Sequence, residues 1–156
     1  VSDWDRLFPS CGGPAPAVLR LRAADAETIR STARAGWPHE TCGLLVGEGE
    51  AVRRVVPADN VAERAHDRFE IDPRARLALM KSLRGTPERV IGHWHSHPDH
   101  PARPSATDLA QAHEPGLVWL ICAVDRTGTT DLAAWRVAGE GAARRFEPVD
   151  LRVTED

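Results

Sequence analysis

The stretch His93–Asp108, HWHSHPDHPARPSATD, decides how this chain is read. Three histidines, His93, His95 and His97, alternate along it, and Ser105 and Asp108 follow. If His93–His97 ends a β-strand, its period of two sends all three imidazoles to one face. Trp94, which alternates with them, then points the other way and fills the core. Two neutral imidazoles at that spacing can hold one cation such as zinc. Ser105 opens a short helical pattern running to His113, and Asp108 lies one turn on, on the same side. His95, His97 and Asp108 together supply three protein ligands and leave a fourth tetrahedral position to water. That is the arrangement of a catalytic rather than a structural zinc site. Ser-x-x-Asp is also a helix-capping pattern, and Ser105 can cap the helix and face the metal at once.

Working outward, the run Leu117–Val124, LVWLICAV, is uninterrupted and apolar, as expected of a strand buried on both faces. Asp131–Val137 and Arg144–Val153 read as further strands. Upstream, Val18–Arg22 alternates apolar and basic residues. Asp25 is placed to cap a helical pattern through Ile29 and Ala33, ended by Gly36 and Trp37-Pro38. Cys42–Glu48 and Ala51–Pro57 form a hairpin turning near Gly49-Glu50. Asn60–Arg68 is a polar loop and Phe69–Ile71 a short edge strand. Asp72-Pro73 then supplies an N-cap and first helical position, with Leu77, Met80 and Leu83 as the apolar stripe. Residues 1–16 form a Pro/Gly-rich lead-in. Residues 17–156 form one α/β domain, a mixed central sheet with about three helices packed against it.

The spacing His95-x-His97, seven residues, Ser105, two residues, Asp108 resembles the JAMM signature of MPN-domain zinc metalloproteases, in their compact prokaryotic form. The resemblance extends over most of the chain, roughly Val18–Val153 by element order. It also asks for an upstream glutamate, and HETCGLLVG offers Glu40. Glu48, Glu50, Glu63 and Glu70 lack that context. The resemblance implies one MPN-type domain holding one Zn2+ on His95, His97 and Asp108. Glu40 would accept the proton of the zinc-bound water, and Ser105 would donate to the developing oxyanion. His93 shares the ligand face and belongs below the metal or packed in the sheet. His100, in the Pro-rich loop, is a candidate for the cleft rim. His39, His66 and His113 read as ordinary histidines. The implied substrate is a ubiquitin-like protein cleaved after its C-terminal glycine. With no room for large insertions, a sulfur carrier of the ThiS/MoaD type with a Gly-Gly tail ranks first. General deconjugation of a ubiquitin-like modifier ranks second. A non-catalytic module binding such a protein is a third reading.

Composition narrows the rest. In 156 residues, 42% hydrophobic and 28% charged, one soluble domain is the expectation. A net charge of −3 argues against nucleic acid as the main partner. No stretch approaches the ~18 apolar residues of a membrane span, and the start lacks the basic end and apolar run of a signal peptide. Three cysteines, Cys11, Cys42 and Cys122, make no even disulfide set, so a reducing cytoplasm is expected. The chain has no C-x-x-C, which removes the zinc deaminase pattern. Cys11, in SCGGP, could reach the open zinc position from the lead-in and hold the enzyme latent.

Overall fold

A computed structural model describes residues 14–155. In chain order the elements are β1 (Val18–Arg22), α1 (Ala23–Gly36), β2 (Cys42–Glu48), β3 (Ala51–Ala58), α2 (Pro73–Ser82), β4 (Arg89–Pro98), α3 (Ala106–Gln111), β5 (Val118–Val124), β6 (Thr130–Ala138) and β7 (Arg145–Thr154). A 3-10 turn, Gly141–Ala143, precedes the last strand. The expected mixed sheet is present, and it closes into a barrel in the order β1-β3-β2-β4-β5-β6-β7. Closure comes from the two ends of the chain, where β1 runs parallel to β7 from Val18 opposite Asp150 to Arg22 opposite Thr154. The lead-in reading of residues 1–16, and Cys11 with it, falls almost wholly outside the described residues.

The core follows from the alternation. Leu19, Leu21, Leu45, Trp94, Leu120 and Cys122 are fully buried and pack with Ala26, Ile29 and Ala33 of α1. Those three lie on one helical stripe, which is why α1 seats against the barrel. Asp25 is not its cap. The helix begins at Ala23 after Arg22, and Asp25 sits in the first turn with the Arg22 guanidinium 2.9 Å away. A carboxylate there still favours the helix, since it faces the positive end of the dipole. The second helix starts as expected, with the Asp72 carboxylate accepting the Arg74 N–H at 2.9 Å and Pro73 at the first position. Its stripe is weaker than expected: only Leu83, just past the last turn, is buried, and Leu77 is 38% exposed. Phe69–Ile71 makes a single bridge, Asn60 to Ile71, rather than a strand.

Strand β4 is central. It pairs antiparallel with β2, Cys42 opposite His95, and parallel with β5, His97 opposite Ala123. A parallel pair needs a crossover, and the crossover here contains α3. It returns the start of that helix to the carboxyl end of β4, where the histidines lie. Behind them Trp94 is wholly buried, as its alternation predicts, and lies across Gly43 on β2. A Cβ at Gly43 would come within 2.3 Å of Trp94 Nε1 and 2.6 Å of the Val56 carbonyl oxygen. Gly43→Ala is therefore expected to cost about 1–3 kcal/mol, the range for overpacking a tight core. Urea unfolding measures it, and an unchanged midpoint would contradict this packing.

Candidate metal centre

Three donors converge where β4 ends and α3 begins. His95 Nε2 and His97 Nε2 are 2.9 Å apart. Asp108 places Oδ1 3.3 Å from His95 Nε2 and Oδ2 3.2 Å from His97 Nε2. Tetrahedral zinc with bonds of about 2.0–2.1 Å needs its ligand atoms roughly 3.3 Å apart, and these separations, with one Asp108 oxygen facing each imidazole, are close to that value. All three side chains are buried. Like-signed nitrogen lone pairs turned towards each other in a dry site are unfavourable without a proton or a cation between them.

The imidazoles are prepared unequally. His97 Nδ1 lies 2.9 Å from the Pro101 carbonyl oxygen, which can only accept. The proton of neutral His97 is thereby fixed on Nδ1, leaving Nε2 as a lone-pair donor. His95 has no such partner, and its Nδ1 is buried without a hydrogen bond. Its ring is held instead by stacking on Phe69, with centroids 4.2 Å apart and planes 14° from parallel. Burial lowers the His95 pKa. Burial also acts to lower that of His97, but Asp108 and the Pro101 carbonyl outweigh it and the net shift is upward. At Asp108 burial opposes ionisation, yet the two imidazoles and the Ser105 N–H hold the carboxyl well below its usual range. It stays charged.

Asp108 has a second task. Ser105 Oγ accepts the Asp108 N–H at 3.0 Å, and Asp108 Oδ2 accepts the Ser105 N–H at 2.8 Å, a complete capping box. The capping reading of these two residues is met, and it leaves Asp108 Oδ1 free to face His95 Nε2. The Ser105 oxygen accepts in this cap, which leaves its own proton available to a bound group.

Glu40 adjoins this cluster. It offers a carboxylate oxygen that lies, with one nitrogen each of His95 and His97, in a set whose members are all within 4.8 Å of one another. Among the described residues this is the group able to hold a metal ion by that criterion, and Asp108 adjoins it through both imidazoles. Glu40 Oε2 is buried without a hydrogen bond. Burial, opposed by His97 and helped by Asp108, raises the Glu40 pKa to about 7.

The sign of that shift sets a prediction for protein stripped of metal. Unfolded, Glu40 releases its proton near 4.5, whereas folded it holds it to about 7. Between those values the folded chain binds the extra proton, so stability falls as pH rises through the window. Gln does not titrate. Glu40→Gln should therefore raise the melting temperature by a few degrees at pH 8, at roughly 2–4 °C per kcal/mol, and by much less at pH 4. A difference independent of pH would contradict the burial of this carboxylate.

The remaining candidates separate clearly. His93 packs edge-on to Trp119, centroids 4.3 Å apart, and tilted to Phe69 at 5.6 Å. It lies within the aromatic wall behind His95, and burial, then His95 and Arg76, lowers its pKa to about 3. A cavity of about 740 Å³ opens beside this wall, lined by Phe69, His93 and Trp119 together with charged Glu63, Arg64 and Arg76, while His95, His97, Asp108 and Glu40 lie outside its lining. His100 is exposed and outside that lining. Cys42 and Cys122 are buried free thiols whose pKa values burial pushes up to about 12.

Sequence reasoning missed three residues that brace the centre: Phe69, Ser96 and Asn60. Ser96 Oγ accepts the Thr41 N–H at 2.8 Å and the Ser96 N–H donates to the Thr41 carbonyl at 2.9 Å, so β4 is tied to the residue after Glu40. No local pattern marks Phe69 or Ser96. An asparagine opening a polar loop is a signal of sorts, because its amide readily bonds nearby backbone.

A mixed barrel whose central strand and crossover helix gather two imidazoles and a carboxylate beside a buried glutamate is the architecture of a JAB/MPN-type hydrolase domain. A family model described as prokaryotic homologs of the JAB domain matches residues 22–138, and the chain belongs to that family. It is 38% identical over 113 residues to the desampylase of Haloferax volcanii, covering 69% of this chain and 81% of that protein. It is 30% identical over 136 residues to the CysO-cysteine peptidase of Mycobacterium tuberculosis, covering 86% and 91%. The solution structure of a Desulfitobacterium hafniense protein superposes with a TM-score of 0.75 at 30% identity, covering 89% and 94%. The expected JAMM/MPN membership and α/β fold are both met.

Proposed function

We propose that this protein is a zinc-dependent peptidase that cleaves after the C-terminal glycine of a ubiquitin-like protein, foremost a sulfur carrier of the ThiS/MoaD type. The observation that carries this reading is the convergence of His95, His97 and Asp108 within 2.9–3.3 Å, with the Glu40 carboxylate beside the two imidazoles. The names of the two relatives, desampylase and CysO-cysteine peptidase, support the substrate class.

In this reading His95, His97 and Asp108 hold zinc. Bound there, it would lower the pKa of a coordinated water and polarise the scissile carbonyl. Glu40 takes the proton of the attacking water and delivers it to the departing amine, which leaves only when protonated. Its raised pKa suits both transfers, and the positive charge of the loaded site would draw it down from the value of about 7 that burial chiefly sets. Ser105 donates its hydroxyl proton to the oxygen on which charge develops. Asp108, pinned by the helix cap, keeps the two imidazoles oriented. The 740 Å³ cavity beside His93 is of the size that houses ligand segments, and it would offer the chain before the scissile bond both aromatic groups, Phe69 and Trp119, and charged ones, Glu63, Arg64 and Arg68. Two glycines at the end of such a chain can pass close to the centre because they carry no side chain. The buried thiols Cys42 and Cys122 suit a reducing compartment, so we place the protein in the cytoplasm.

The test is incubation with sulfur-carrier proteins bearing a C-terminal extension or an attached cysteine, followed by intact mass. Loss of everything beyond Gly-Gly, abolished by a chelator and restored by zinc, is the expected result. Carriers that stay intact with zinc present would defeat this choice of substrate. A second reading, general deconjugation of a ubiquitin-like modifier, is favoured by the 38% identity to a desampylase. Isopeptide-linked conjugates in the same assay separate the two.

A further inference from the structure

We propose that Asn60 is a positioning residue for the reaction, holding Glu40 against the imidazole pair through its main chain. The proposal rests on the reading of Glu40 as proton carrier. Glu40 lies just outside β2, which starts at Cys42, so no strand ladder fixes its peptide groups. Its N–H and its carbonyl are held by the loop that follows β3, while the Thr41 N–H of the next peptide is held by Ser96 Oγ on β4. The Glu40 N–H donates to the Ala65 carbonyl at 2.6 Å, and the Glu40 carbonyl accepts from Asn60 Nδ2 at 2.9 Å.

Asn60 does more than this one contact. Its Nδ2 also donates to the Arg68 carbonyl at 2.9 Å. Its Oδ1 accepts the Ala62 N–H and the Glu70 N–H, each at 3.0 Å. Two donated and two accepted bonds use the whole capacity of a side-chain amide. They also fix which end is nitrogen, because the flipped amide would set N–H against N–H. One amide thus gathers the start of the loop, its end and the main chain of Glu40. The residue after Arg68 is Phe69, whose ring stacks on His95. Through a single side chain the loop therefore sets both the carboxylate and one face of a metal-binding imidazole. A reacting group displaced by about 1 Å can lose on the order of 100-fold in rate, so an anchor of this kind acts on turnover rather than on substrate affinity.

Asn60→Asp removes the donated bonds and keeps the accepted ones. It keeps an oxygen for the Ala62 and Glu70 N–H groups, but sets an acceptor where Nδ2 donated to Glu40 and Arg68. The variant is assayed on a Gly-Gly sulfur carrier with a C-terminal extension, alone and combined with Glu40→Gln. We expect kcat to fall about 10- to 100-fold with KM and zinc content nearly unchanged. In the Glu40→Gln background the same change should cost several-fold less than in the otherwise unaltered protein, because the carboxylate being positioned is already gone and only the Arg68–Phe69 side of the contact is still disturbed. In metal-free protein, amide hydrogen exchange at Glu40 should speed at least about tenfold while the β4 and β5 amides stay protected. If Asn60→Asp does not fold, Asn60→Ser, which keeps a smaller acceptor for the Ala62 N–H, carries the same measurements.

An equal loss in both backgrounds would make Asn60 a general structural residue and overturn the proposal. So would unchanged kcat and unchanged exchange at Glu40. If Glu40→Gln alone keeps full activity, the underlying reading of Glu40 has failed instead; a normal Asn60→Asp beside an inactive Glu40→Gln fails only the positioning role.

Discussion

Glu40→Gln is expected to keep its zinc and to lose about two to four orders of magnitude in turnover, the range for removing a general acid–base. The substitution preserves volume and one oxygen, so the buried place that Glu40 occupies can still be filled. What it removes is the ability to accept a proton. The side chain serves twice in one cycle, first with the attacking water and then with the leaving amine, and amide hydrolysis stalls without the second transfer. A Glu40 oxygen lies within 4.8 Å of both imidazole donors, but the proposed ligand set is His95, His97 and Asp108, and on that assignment metal content should not fall with activity. Steady-state kinetics beside zinc analysis decide this, and near-normal turnover would remove Glu40 from the mechanism. The same variant is expected to be the more stable protein above pH 7 when metal is absent, so activity and stability should move in opposite directions at one residue.

Asp108→Asn is the second large effect, and it separates two jobs held by one carboxylate. Asp108 Oδ2 accepts the Ser105 N–H at 2.8 Å while lying 3.2 Å from His97 Nε2. An asparagine can still accept that N–H, so the start of α3 should survive with a loss of roughly 1 kcal/mol or less. It cannot supply a negative charge between two imidazoles. Removing a group that merely orients a ligand commonly costs 10- to 100-fold in metal affinity, and removing a ligand should cost at least about 100-fold. Zinc titration against a competing chelator measures it. Retained tight binding would show that Asp108 is a helix cap and nothing more.

How far these features could be read from the sequence depends on how local each one is. His95, His97 and Asp108 were legible because two short-range rules, the alternation of a strand and the turn of a capped helix, act on adjacent segments. Glu40 was legible only through the resemblance of its surroundings, since nothing near it reveals that β2 pairs with β4 and brings it to the histidines. The barrel's closure was invisible for a similar reason: β1 and β7 meet in parallel across nearly the whole chain, and pairing at that distance leaves no periodic trace. Leu77 has the right spacing to look like a core position, but α2 lies on the surface and leaves it 38% exposed. Asp25 resembles a cap, yet the helix begins earlier because nothing after Arg22 opposes it. Phe69 reads as an ordinary strand aromatic and turns out to carry the ring of His95. Contacts of that kind belong to the assembled fold.

Anomalous diffraction at the zinc edge, from crystals of zinc-loaded protein, measures directly which side chains would hold the ion. One peak is expected, within bonding distance of His95 Nε2, His97 Nε2 and an Asp108 oxygen, with Glu40 beyond that distance. A peak bonded to Glu40 with Asp108 left out, or zinc lodged elsewhere in the fold, would contradict that ligand set.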